Sequence, residues 1–127
     1  MKPLLAGKVL WSYDYEVLQR DSLNNVGAHF SGVAPFHKHA GEIALTEDKI
    51  LIRGDEDFQI SLGMLDQIYL GFDKTFPRTL VKNFGLFWQP LRLSLTSGQH
   101  LYLIIDYNLL GAKNQLWFSK LKDMLAD

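Results

Sequence analysis

The sequence predicts a mainly β domain with one C-terminal α-helix, an antiparallel β-barrel or two packed sheets capped by the helix. Three stretches carry that expectation. Between Gly41 and Gly54, two short runs of alternating apolar residues flank the polar tetrad Thr46 to Lys49, the pattern of an antiparallel hairpin with one buried face. A second alternation follows late in the chain: Leu91, Leu93 and Leu95 against Arg92, Ser94 and Thr96, a turn at Ser97-Gly98, then Leu101, Leu103 and Ile105 against Tyr102, Ile104 and Asp106. From about Gly111 to Leu125 the period becomes helical. Trp117, Leu121, Met124 and Leu125 share an apolar stripe with Phe118 beside it, while Lys113, Lys120, Lys122 and Asp123 take the other faces.

The remaining elements fill in around these. From Lys8 to Leu18, Val9, Trp11, Tyr13, Tyr15 and Val17 alternate with Lys8, Ser12, Asp14 and Glu16, which reads as a strand. Gln19 to Asn25 is polar and turns at Asn24-Asn25; Val26 to Val33 forms a short strand weakened by Gly27 and Gly32. Pro35 ends it, and Pro35 to Ala40 reads as a loop. Gly54 with Asp55, Glu56 and Asp57 makes a turn, so a third strand of a meander follows at Phe58 to Leu62. Beyond Gly63, Leu65 to Phe72 is a further strand with Ile68 and Leu70 on one side and Tyr69 on the other. Asp73 to Pro90, interrupted by Pro77 and Gly85, reads as an ordered loop with at most one short strand. The terminal helix carries its lysines toward its C-terminal half, where they complement the helix dipole. Its Trp and Leu face must close over one opening or face of the β structure.

Composition bounds the function classes. The 127 residues suit one domain over 1–127, able to bury about two thirds of the surface that the unfolded chain exposes. Hydrophobic residues at 47% and aromatics at 13% exclude a disordered chain, and a net charge of -1 argues against nucleic acid as partner. The absence of cysteine removes disulfides, thiolate metal sites and a cysteine nucleophile, and fits a reducing compartment. Met1 to Gly7 carries one Lys and only the apolar pair Leu4-Leu5, too short for a signal-peptide core, and no apolar run approaches a membrane span. The expected address is cytoplasmic.

The order of elements resembles the pleckstrin-homology-like barrel, in particular its bacterial PH and GRAM branch. The resemblance rests on Leu5-Ala6-Gly7-Lys8-Val9-Leu10-Trp11 at the first strand, the Gly-x-Ile-x-Leu-Thr hairpin from Gly41 to Leu51, Gln67-Ile68-Tyr69-Leu70, and Trp117 on the terminal helix. It covers most of the chain, with residues 19–40 as an insertion. The resemblance implies a noncatalytic binding module with a groove between the helix and an edge strand, where an extended peptide adds by backbone pairing. It also implies an inositol-phosphate route, through cations of the first hairpin. Here Glu47, Asp48 and the Asp55 to Asp57 run place carboxylates where phosphates would sit, which disfavours that route.

The candidate interaction surface is therefore Lys74, Phe76, Arg78, Lys82, Phe84, Phe87 and Trp88. Cations recurring every four positions among aromatics suit a protein or peptide partner, or peripheral association with an anionic membrane surface. The same aromatics also suit barrel filling, with the cations as a solvated rim. His37 and His39 share a side if extended and would supply two imidazoles to a zinc ion, with His29, Glu42 or His100 as further candidates; a surface loop of histidines is the simpler reading. Asp55, Glu56 and Asp57 lack the alternate spacing of a calcium loop and read as a solvated turn. No Gly-x-Ser-x-Gly elbow, placed carboxylate pair or Gly-x-Gly-x-x-Gly array is present, so neither an enzyme nor a cofactor is expected. Open barrel edges leave room for self-association.

Overall fold

The computed structural model describes residues 3–18, 37–76, 88–108 and 111–125. Its strands in chain order are β1 (Leu5–Tyr13), β2 (His39–Leu45), β3 (Lys49–Gly54), β4 (Phe58–Ser61), β5 (Leu65–Leu70), β6 (Leu91–Leu95) and β7 (His100–Ile105). Two α-helices are described, α1 (Asp14–Leu18) and α2 (Asn114–Leu125), with a short 3-10 turn at Leu62–Met64 between β4 and β5. The seven strands form one antiparallel sheet in the order β4-β3-β2-β1-β7-β6-β5, curled into a half-barrel with α2 against its concave face. Both predicted hairpins and the third meander strand are present. In the first, Thr46 closes the turn: its N–H donates to the Lys49 carbonyl at 2.9 Å and its hydroxyl donates to Asp48 at 3.0 Å.

Period two sorts the side chains. Val9, Trp11, Ile43, Leu45, Ile50, Ile52, Ile60, Leu91, Leu93, Leu101, Leu103 and Ile105 point to the concave face, where Trp117 and Leu121 of α2 complete the core. Each large side chain removed from water there contributes about 1.5–3 kcal/mol before entropy is counted. The start of α2 is pegged by Asn114, which is buried. Its Oδ1 accepts from the Ile105 N–H at 2.8 Å, and its Nδ2 donates to the carbonyls of Leu103 at 3.0 Å and Gln89 at 2.7 Å. The predicted start near Gly111 is three residues early because Gly111 is held in a bridge with Asn108.

A second, smaller core lies on the opposite face of β1 and β7. Val17, Phe76, Tyr102 and Ile104 are buried together, with Leu10, Phe72, Trp88, Tyr107 and Ala112 packed around them. The sheet is thus covered on both faces where its two halves meet.

Two expectations need correction. The strand predicted from Lys8 to Leu18 stops at Tyr13, and Asp14 to Leu18 is helical. The reason is the loss of neighbours: β1 runs out of β2 at Trp11, opposite His39, and out of β7 at Tyr13, opposite Leu101. Beyond that point a strand would leave its ladder groups unpaired. Glu16 instead caps the helix, its Oε1 accepting the Tyr13 N–H at 2.9 Å, and Val17 turns into the second core while Tyr15 is exposed. The second correction is that His39 and Ala40 belong to β2 rather than to the preceding loop. The predicted turn at Asn24-Asn25, the weak strand from Val26 to Val33 and the rest of the insertion up to residue 36 lie outside the described residues, as do residues 77–87. Among the described residues, no helix is long and apolar enough to cross a membrane.

Candidate functional site

The predicted interaction segment is only partly described. Lys74 is exposed. Phe76 is buried and stacks on Tyr102 with ring centroids 5.4 Å apart, so it fills the second core and presents no surface. Trp88 is half-buried, 6.2 Å from Phe72 and edge-on to Tyr107 at 5.8 Å. Arg78, Lys82, Phe84 and Phe87 lie outside the described residues.

What fixes the beginning of this segment is Asp73, which the sequence did not single out. Its Oδ2 accepts from Arg92 Nη1 at 2.9 Å and from the Tyr102 hydroxyl at 2.8 Å, and its Oδ1 accepts from the Phe76 N–H at 2.7 Å. Arg92 Nη2 donates to Gln67 at 3.1 Å, and the guanidinium lies 4.7 Å from the centre of the Tyr69 ring. Burial, reinforced by the hydrogen bond to Asp73, pushes the Tyr102 phenol well above its ordinary value of 10.0. One carboxylate thus ties the segment to β6 and β7.

The second constellation gathers at the end of the half-barrel where β1 finishes and β2 begins. His39 lies flat on Trp11, ring centroids 4.2 Å apart, and its side chain is 11% exposed. Its Nε2 lies 2.9 and 2.7 Å from the two carboxylate oxygens of Glu16, on α1. Its Nδ1 lies 2.6 Å from Asp55 Oδ2, in the β3–β4 turn, and 3.9 Å from Glu56. A neutral imidazole has one N–H, so a ring facing a carboxylate at both nitrogens is an imidazolium donating twice. Burial opposes that charge, but the hydrogen bonds to Asp55 and Glu16 outweigh it and hold the pKa of His39 above the ordinary 6.5. The hydrogen bond from His39 in turn holds Asp55 below its ordinary 3.8.

This arrangement is an ion-pair cluster rather than a metal centre. Both nitrogens of His39 are occupied, and among the described residues no group of three or more histidine or carboxylate side chains is placed to hold a metal ion. Glu42 and His100 do not converge on His39. Glu42 is on the opposite face of β2, and His100 Nδ1 is 2.7 Å from the buried Ser94 hydroxyl on the far side of the sheet. The Asp55 to Asp57 run is exposed as predicted, yet Asp55 has a bonding role that the reading as a solvated turn missed.

A trough of about 450 Å³ crosses the convex face of β1, β2 and β3. Its floor is Ala6, Ala44 and Leu51, opposite one another in register, and its rim is the row Lys8, Glu42 and Arg53. The carboxylate between two cations gives it little preference for either sign of charge.

No family model matches the chain, and no curated protein matches it in sequence. In three dimensions it is similar to the crystal structure of the C-terminal domain of an unknown protein from Leishmania infantum, with a TM-score of 0.58 and 11% identity over 99% of this chain and 85% of that chain. A likeness at that identity is one of fold.

Proposed function

We propose that the chain is a noncatalytic binding module of the pleckstrin-homology-like kind, taking an extended protein segment as an added strand along the edge of β5 that is unpaired among the described residues. One observation carries the reading: among the described residues β5 ends the sheet, pairs with β6 on one side only, and has α2 packed against it. A sheet edge with a helix alongside offers backbone groups for pairing and a wall for side chains. Strand alternation counted from the Gly71 N–H, which donates to the Pro90 carbonyl on the β6 side, turns the N–H groups of Ile68 and Leu70 to the open edge. Exposed apolar side chains at Met64 and Tyr69, and at Leu116 and Leu125 of α2, add contact area.

The test is affinity capture from a proteome at physiological salt, followed by hydrogen exchange on the captured complex. Slowed exchange at Ile68 and Leu70 supports strand addition; a bound partner that leaves both amides unchanged removes it. No partner, together with turnover in a small-molecule activity screen, removes the noncatalytic reading.

Peripheral membrane association through Lys74 to Trp88 is the competing reading. Exposed Lys74 favours it and buried Phe76 disfavours it. Flotation with anionic liposomes at low salt separates the two, since binding abolished in a Lys74/Arg78/Lys82 triple-alanine variant would select the membrane.

A further inference from the structure

We propose that His39 is a proton-operated clasp: while its ring carries both protons it holds the β3–β4 turn against β2, and loss of one proton releases the turn through Asp55. This goes beyond the binding reading and lies at the other half of the sheet from β5.

The geometry carries the argument. Among the described residues, the charged groups facing the ring are all acids: Glu16 from α1, and Asp55 and Glu56 from the turn. From β1 the ring meets Trp11 face-on and Tyr13 edge-on at 6.1 Å, neither of which brings a cation. The residues just before β2 are His37 and Lys38; Lys38 is exposed. Two N–H donors therefore satisfy two carboxylates. Remove one proton, and one nitrogen lone pair faces a carboxylate oxygen at 2.6–2.7 Å, where two acceptors repel.

Which carboxylate leaves follows from what else holds it. Glu16 engages Nε2 with both oxygens, also accepts the Tyr13 N–H at 2.9 Å, and is 15% exposed. Asp55 is 47% exposed, and its remaining ties to β2 are long: 3.3 Å from the Ala40 N–H to its carboxylate and 3.5 Å from its own N–H to the Ala40 carbonyl. Asp55 has water to move into and little to lose. The remaining proton stays on Nε2 against Glu16, and the turn from Asp55 to Asp57 swings away from the end of the half-barrel. That end is where Trp11 meets Phe58, ring centroids 5.1 Å apart, so release loosens the cover over the Trp11 side of the core.

Nuclear magnetic resonance on the intact chain tests this between about pH 5 and 9, above the range where carboxylates titrate. The expected result has three parts. Both ring nitrogens of His39 are protonated at the acid end; Nδ1 loses its proton on the way up, with Nε2 retaining its own; and the amides of Ala40, Asp55 and Glu56 shift with the same midpoint while those of Tyr13 and Glu16 stay. A ring already neutral at the acid end, a titration without turn-amide shifts, or loss of the Nε2 proton with movement at Glu16 instead would each overturn the proposal. Asp55→Asn supplies an independent check that leaves Glu16 and the helix cap in place. It should lower the His39 midpoint and abolish the linked turn shifts; an unchanged midpoint overturns the clasp.

Discussion

Gly41 and Gly54 sit opposite each other across β2 and β3, and neither has room for a β-carbon. One built on Gly41 would lie 2.0 Å from the Arg53 carbonyl oxygen, and one on Gly54 2.4 Å from the Ala40 carbonyl oxygen. The neighbours are backbone, so the strands themselves would have to part. Their close approach is what brings the next residue, Asp55, within reach of His39. Gly41→Ala should therefore destabilise the fold by about 2–4 kcal/mol in urea unfolding and lower the His39 pKa as Asp55 is displaced. A loss below about 0.5 kcal/mol would show that the strands yield at little cost.

Asn114 answers buried backbone groups from β7 and from the residue before Pro90. In Asn114→Ala, the Ile105 N–H and the Leu103 carbonyl lose their side-chain partner inside the core, at a cost of about 2–4 kcal/mol. Asn114→Asp should be worse at neutral pH, because a carboxylate oxygen would replace the amide nitrogen that donates to two carbonyls. Denaturant midpoints of the two variants, taken side by side, check the order. A more stable Asp variant would mean that the Leu103 and Gln89 bonds contribute nothing.

The strands were legible in the sequence and the sites were not, for one physical reason. Alternation along Gly41 to Gly54 or Leu91 to Asp106 reports which face is buried, and that is a local property. Convergence of Glu16, His39 and Asp55 depends on the pairing of Trp11 with His39 and of Gly41 with Gly54, which is a matter of register between strands. The same limit explains the overextended first strand. Tyr15 and Val17 keep period two, but a strand also needs neighbours, and those end at Tyr13. A local signal was present: Asp14 and Glu16 are acids at the start of a helix, and Glu16 is three residues past the capped Tyr13. For Asp73 and Arg92, 19 residues apart, no local signal exists.

Asp73 should behave as the anchor of the segment that follows it. Asp73→Ala strips the acceptor from Arg92, from Tyr102 and from the Phe76 N–H together, and should cost about 1–3 kcal/mol, moderated because the pair is partly solvated. Tyr102→Phe removes one of the three bonds and keeps the ring stacked on Phe76, so its cost should be about 1 kcal/mol or less. Hydrogen exchange gives a sharper readout than stability alone: the Phe76 amide should open in the Asp73 variant and stay protected in the Tyr102 variant. Equal exchange in both would place the anchor in the aromatic packing instead.

The His39 cluster also sets a pH window for stability, with a sign that can be worked out from each group. His39 has its folded pKa raised, so its contribution is full below the ordinary 6.5 and is lost as pH rises through the folded value. Asp55 has its folded pKa lowered, so its contribution is full above the ordinary 3.8 and is lost as pH falls through the folded value. Both are fully present only between 3.8 and 6.5. Urea midpoints measured across that range should therefore show a weakly acidic plateau, with a decline on the alkaline side that His39→Gln removes, since glutamine has no proton to lose. If wild type and His39→Gln fall in parallel above pH 6.5, the alkaline loss arises at other groups, and the imidazolium is not what the folded state gains from this cluster.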